Sequence, residues 1–245
     1  MTAKFEYKEA DAEGEETLDV IAGAGNFNRW MYETIRPFCS GKILEIGSGT
    51  GNISRYFIEQ GAEIMLSDIR PGYCKRLETQ FSGKKNLLGI RQMDLVIPEF
   101  GEKYKDLTGT FDAVFALNVV EHIEDDMLAV ANAKKLLREN GTLIILVPAY
   151  QWLYNRFDKE LFHFRRYNKR SLSALFLENN FTIRRKFFFN AMGMAGWFVS
   201  GKLFRNKILP GSQVSFYNKI IPLAKLIDAA MLNSTGLSVI VAGTK

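Results

Sequence analysis

The feature that most constrains this chain is the run Ile43-Leu44-Glu45-Ile46-Gly47-Ser48-Gly49-Thr50-Gly51-Asn52. A short apolar segment reads as a buried strand, and here it passes through three alternate glycines into a helix-like stretch. Such a strand-turn-helix unit aims the free N–H groups of the helix start at whatever sits above the strand. Glycine suits the turn because a side chain would hold a ligand off the backbone. The spacing is G-x-G-x-G and not the G-x-G-x-x-G of the dinucleotide fingerprint, which counts against a nicotinamide or flavin enzyme.

The rest of the chain repeats this strand-helix alternation. Strand-like runs fall at 42–46, 63–67, 86–92, 111–117, 142–147, 181–189 and 237–242. Between them Ile53 with Phe57, and Met127, Val130, Ala133 and Leu137, recur at helical spacing, each giving one apolar stripe to lay on a sheet. The expected fold is α/β: a Rossmann-like, seven-stranded, mostly parallel sheet with helices on both faces, plus a helical insertion before the last strand. The chain reads as a single domain over 1–245, with an N-terminal helical cap at 1–40 and a ligand-binding core at 41–149. Insertions at 150–170 and 190–236 exceed the alternating scheme, and long insertions into a compact sheet usually carry function. The second contains two helix-like patterns separated by Pro210-Gly211.

Charge is unevenly spread. Residues 151–245 hold 15 Lys+Arg against 4 Asp+Glu, a net of +11, whereas residues 1–150 hold 17 against 23, a net of −6. A basic field beside a cleft attracts anionic substrates, acidic membranes or nucleic acid. Two cysteines, Cys39 and Cys74, give neither a disulfide framework nor a zinc motif. The start lacks the pattern of a secretory signal, and the most apolar stretch, 187–204, is interrupted by Asn190, glycines and Lys202. A cytoplasmic location is expected, with peripheral contact at the inner membrane face.

Two acids follow later strands. Asp68 closes the second, where a carboxylate can accept from both hydroxyls of a ribose. Asp94 follows the third beside Met93, where alone it reads as a helix cap or solvated turn, and in company with the glycine loop and Asp68 as an acceptor for an adenine amino group. Together with the glycine loop and the run 111–123, ending Asn118-Val119-Val120-Glu121-His122-Ile123, these residues resemble the class I S-adenosylmethionine-dependent methyltransferases over roughly residues 25–190. The resemblance implies that S-adenosyl-L-methionine is the cofactor. Glu45, Gly47, Ser48 and Gly49 would meet its methionine part, Asp68 with Ile69 its ribose, and Met93 with Asp94 its adenine. Asn118 and Val119 would approach the methyl group, and Arg29, in a helix ahead of the first strand, the cofactor carboxylate. Trp30 and Tyr32 of that helix are candidates for cavity wall or plain core.

The Asn/Asp-Pro-Pro-aromatic run of nucleic-acid amino methyltransferases is absent after the fourth strand, so nucleic acid is an unlikely partner. The Val-Val-Glu-His-Ile form resembles the branch acting on small molecules, lipids and sugars. The link 150–167 resembles a bacterial subgroup associated with cell-surface glycan or lipid biosynthesis, and supplies the acceptor side. There Tyr150, Trp152, Tyr154 and Tyr167 offer stacking faces, Arg165 and Arg166 an anion clamp, and His163 a general base. The expected reaction is methyl transfer, at oxygen, to an anionic small-molecule, lipid-linked or glycan acceptor. An RNA methyltransferase and a non-catalytic cofactor-binding scaffold are the alternatives. No His, Asp or Cys cluster has metal-ligand spacing along the chain, so no metal is expected. His122, next to the fourth strand, is expected to be a spacer or cap.

Overall fold

The computed structural model describes residues 19–203 and 211–245. Its strands are β1 Ile43–Ile46, β2 Ile64–Asp68, β3 Leu87–Gln92, β4 Phe111–Leu117, β5 Leu137–Pro148, β6 Thr182–Phe189 and β7 Ser238–Thr244. They form one sheet in the order β3-β2-β1-β4-β5-β7-β6. The first five pair in parallel. β7 runs antiparallel to both β5 and β6. This is the seven-stranded, mostly parallel sheet expected from the sequence.

The largest boundary difference is at β5, the other strands starting and ending within two residues of expectation. β5 begins at Leu137 and not at residue 142, because Leu137 already pairs with Phe111 before an irregularity shifts the register to Ala113 and Thr142. Leu137, expected on a helical stripe, therefore lies just past the helix. Asn140 beyond it takes a left-handed φ of 63°.

Alternate strand residues point to opposite faces, so each strand feeds two cores. One face carries α1 Gly25–Ile35, α2 Ser54–Glu59 and α3 Pro71–Phe81, which bury Trp30, Ile35, Phe57, Leu77 and Phe81 against Ile43, Leu66, Ala113 and Phe115. Trp30 and Tyr32 are thus core, with the Trp30 ring 4.3 Å from that of Phe189. The other face carries α4 Asp126–Leu136, joined after the short α5 Arg156–Glu160 by α6 Lys169–Glu178. There Val130, Ala133, Leu136 and Phe176 meet Leu44, Val114, Ile145 and Val241. Asp125 caps α4 by accepting from Leu128 N, and Asn168 caps α6 in a reciprocal capping box with Ser171.

The insertion before β7 is helical, as expected: α7 Ala191–Trp197 runs on into wider turns at Phe198–Leu203, and α8 Gly211–Lys219 and α9 Ile221–Ala230 follow. Pro210 and residues 1–18 of the N-terminal cap lie outside the described residues. Buried Asp228 of α9 accepts from the backbone N–H of Asn190 at 2.6 Å and of Ala191 at 2.8 Å, anchoring α9 to the start of α7. Asn218 accepts from Phe27 N at 3.1 Å and so ties the insertion to α1. Among the described residues no helix is long and apolar enough to cross a membrane.

β1 lies between β2 and β4, so the strand order reverses there, and such a switch point opens a crevice at the carboxyl ends of the strands. The packing beneath it is testable. Phe115 is fully buried, with its ring 5.2 Å from that of Phe57. Phe115→Ala is expected to cost about 3–5 kcal/mol in chemical denaturation; a loss below about 1 kcal/mol would mean this layer does not hold the sheet together.

Candidate active site

The crevice is a cavity of about 1170 Å³, above the roughly 300–1,000 Å³ typical of a pocket for a single ligand. One end is the glycine loop. Gly47, Gly49 and Gly51 have φ of 71°, 52° and 78°, a conformation that disfavours side chains. A Cβ at Gly47 would overlap Val119 Cγ2, and one at Gly51 would lie 2.7 Å from Phe81 Cε2. Asp68, buried at the end of β2, accepts from Gly49 N through Oδ2 and from Arg70 N through Oδ1, both at 2.9 Å. It thereby holds the loop open while keeping further acceptor sites. Burial raises its pKa against those two hydrogen bonds. Beneath the loop, Glu45 accepts from the Ser54 hydroxyl. Burial, reinforced by Asp68 and opposed by Ser54 and Ser48, pushes the Glu45 carboxyl up to about 8.

Glu45, Gly47, Ser48, Gly49, Asp68, Ile69, Met93, Asp94, Asn118 and Val119 all line this cavity. A backbone cradle free of Cβ atoms, a buried carboxylate in reach of a ribose, and an apolar slot of Ile69, Met93, Leu95 and Val96 fit the nucleoside and amino-acid parts of S-adenosylmethionine. Asp94 also braces its own turn by accepting from Val96 N. Arg29 is the exception. It sits on the outer face of α1, 5.5 Å over the Tyr56 ring, while Phe27, Asn28 and Met31 turn inward. Helical rotation of about 100° per residue separates it from that inner face.

The acceptor end departs further from expectation. Arg166 is buried, donates to Asp158 Oδ1 at 2.7 Å and to Ala149 O at 3.0 Å, and packs on the Trp197 ring. Arg165 pairs with Asp126 at 2.9 Å and does not line the cavity. Arg166 does line the cavity, but both guanidinium charges are paired with carboxylates of the chain, so the two arginines brace the loop and are not held free as the expected anion clamp. Of the expected stacking faces, Tyr150 stacks on Phe188, Tyr167 donates to Asp126, Tyr154 donates to His163 O, and Trp152 lies at the surface; none lines the cavity. The wall is built instead by Phe162, Phe164, Met192, Trp197, Phe216 and Tyr217. The apolar character of 187–204 was the signal for part of it.

His163 does line the cavity. Its Nδ1 lies 2.8 Å from Asp158 Oδ1. Burial pushes the Asp158 carboxyl up, but hydrogen bonds from His163 and Arg166 outweigh this and hold it below the ordinary range. Asp158 Oδ2 meanwhile accepts from Asn155 N and caps α5. Two neighbours were not expected in the site: Glu121 had no assigned role, and His122 was expected to be a spacer or cap. Glu121 is fully buried and lines the cavity, and His122 sets its ring edge-on to that of His163 at 4.6 Å between centroids. The pairing of β4 with β5 brings the two loops together, and Phe164 N donates to Glu121 O at 2.8 Å across them.

Residues 44–143 match a family model described as "Methyltransferase domain". The ubiquinone biosynthesis O-methyltransferase of Ruegeria sp. (strain TM1040) is 31% identical over 132 residues, covering 52% of this chain and 49% of that protein. That of Azorhizobium caulinodans is 30% identical over 46% of this chain and 42% of its own length. This chain thus spans half or less of the curated relatives it matches. Among solved structures, a SAM dependent methyltransferase from Archaeoglobus fulgidus shares the fold with a TM-score of 0.57 at 16% identity, covering 89% of this chain and 94% of that one.

Two outcomes follow from the cradle. In calorimetric titration with S-adenosylhomocysteine, Asp68→Ala is expected to weaken binding by about 1.5–3 kcal/mol, the scale of a hydrogen bond to a charged group. Arg29→Ala should leave it unchanged, and the reverse pattern would move the ribose and carboxylate contacts elsewhere. The second concerns pH. Glu45 binds its proton more tightly folded than unfolded, so its contribution to stability is full below about 4.5 and is lost as pH rises through about 8. The ligand-free chain should lose Tm between pH 5 and 9, and Glu45→Gln should lose less; equal slopes would contradict the buried, protonated state.

Proposed function

We propose that this chain, which belongs to the class I S-adenosylmethionine-dependent methyltransferase superfamily, transfers a methyl group to an oxygen of an apolar, lipid-linked small-molecule acceptor. The observation that carries the reading is the lining of the cavity beyond the glycine loop. There the cavity is walled by aromatic and aliphatic side chains, with Glu121, His122 and His163 gathered where it meets the loop after β4. S-adenosylmethionine supplies a methyl already activated on a sulfonium, so the protein's task is alignment and exclusion of water. Phe162, Phe164 and Trp197 serve the exclusion, and the polar cluster is the place for an acceptor oxygen to be held and relieved of its proton.

The relatives named for oxygen methylation in ubiquinone biosynthesis support oxygen as the atom methylated. The net charge of residues 151–245, with exposed Trp152, Phe198, Leu223 and Leu226, supports contact with an acidic lipid surface. The anionic character expected of the acceptor is assigned to that surface, since Asp126 and Asp158 neutralise the two arginines.

A labelled-methyl assay against lipid extract, soluble metabolites and RNA tests the reading. Label is expected in the lipid extract, and His163→Asn should lower turnover by about 10²–10⁴-fold with S-adenosylhomocysteine affinity intact. Label in RNA would overturn the acceptor class, and no transfer to any fraction would favour a cofactor-binding scaffold.

A further inference from the structure

We propose that Glu121, His122 and His163 form a binding site for one divalent transition-type metal ion, with Zn²⁺ the best match to the donor set. Each residue offers a ligand atom, and the three atoms all lie within 4.8 Å of one another. Ligands about 2.0–2.2 Å from a shared tetrahedral zinc ion lie about 3.3–3.6 Å apart, so side-chain rotations that draw the atoms together by no more than about 1.5 Å close the set.

Two independent features of the site call for a cation. The first is Glu121, which is fully buried with neither carboxylate oxygen hydrogen-bonded among the described residues. A buried carboxylate without a partner is costly, and a cation supplies the missing partner for both oxygens at once. The second is the orientation of His163. Asp158 takes up Nδ1, which fixes the tautomer and leaves Nε2 as the coordinating nitrogen. Arg166 and the backbone of Asn155 in turn hold Asp158. A carboxylate behind a histidine, itself braced from behind, is the outer shell that metal-ligating histidines ordinarily carry.

Two imidazoles and one carboxylate favour zinc and its transition-metal neighbours over Mg²⁺ or Ca²⁺, which prefer all-oxygen sets. Three protein ligands facing a cavity leave a coordination position open, the arrangement of a catalytic and not a structural zinc site. An acceptor hydroxyl bound there would ionise more readily: its O–H bond breaks, the proton passes to solvent, and the oxygen keeps the electron pair beside the positive charge. That role rests on the methyl-transfer reading, while the binding of the ion does not. It also replaces the base expected at His163, since a nitrogen that ligates a cation cannot accept a proton. Linear spacing concealed the site, because Glu121 and His122 are adjacent and His163 lies on another loop.

The test is titration of the chelator-stripped full chain with Zn²⁺ by calorimetry, and with Co²⁺ by visible absorption. One equivalent of zinc per chain is expected, with a Co²⁺ spectrum that differs from that of the aqueous ion. Asp158→Asn should weaken zinc binding by about 10–100-fold, and Glu121→Gln and His122→Ala by more, in variants that still bind S-adenosylhomocysteine. No zinc uptake, or uptake undiminished in Glu121→Gln, overturns the site. Should the variants not fold, an unperturbed Co²⁺ spectrum in the wild-type chain overturns it equally. Zinc uptake without methyl transfer would sink the functional reading and leave the site standing, and full turnover by the zinc-free chain would remove the acceptor role alone.

Discussion

The parallel pairing of β1 with β4 is the constraint on which the rest of the molecule depends. Because β1 also pairs with β2, the sheet reverses its winding between β1 and β4, and the loops leaving these two strands diverge to opposite faces. The gap between them is the cavity. The same pairing presses Val119 against Gly47 so closely that no side chain fits on the glycine, which leaves its backbone exposed to a ligand. It also delivers Glu121 and His122 to the rim of the cavity that β5 reaches from the other side.

Two buried aspartates then set the two ends of the cavity by the same physical device. Asp68 takes N–H groups from Gly49 and Arg70 and so shapes the glycine loop. Asp158 takes an N–H from Asn155, the Nδ1 side of His163 and the guanidinium of Arg166, and so shapes the loop after β5. Each carboxylate has enough acceptor sites to organise several donors from different turns, which no apolar residue at that position can do. The difference lies in charge. Asp158 has a buried cation beside it and is held ionised, whereas Asp68 relies on backbone dipoles and has its pKa raised by burial.

This arrangement explains why the acceptor end is less polar than its composition suggests. Arg165 and Arg166 of the link after β5 are consumed by carboxylates of the chain, Tyr150 by packing against Phe188 of β6 and Tyr154 by a hydrogen bond to the loop itself. Aromatic and aliphatic side chains dominate what remains to face the cavity, and Glu121, His122 and His163 form a polar cluster among them. A polar group in such surroundings interacts strongly with any partner it finds, because little water competes for it.

The sequence by itself determined the sheet, the glycine cradle and the acids at the ends of β2 and β3. These depend on local patterns: apolar runs of strand length, glycines where the backbone must turn left-handed, and carboxylates a fixed step past a strand. Their boundaries shifted by more than two residues only at Leu137, where register decided. Tertiary structure alone decided which charges are free and which donors meet. Arg29 could be placed on a helix from its neighbours, but its outward face followed from how α1 packs on α2 and α8. Arg165 and Arg166 read as a clamp until Asp126 and Asp158, from other elements, neutralised them. Glu121, His122 and His163 read as unrelated residues because their proximity is a product of strand order. Periodicity is a property of the chain, whereas the pairing of buried charges is a property of the packed sheet.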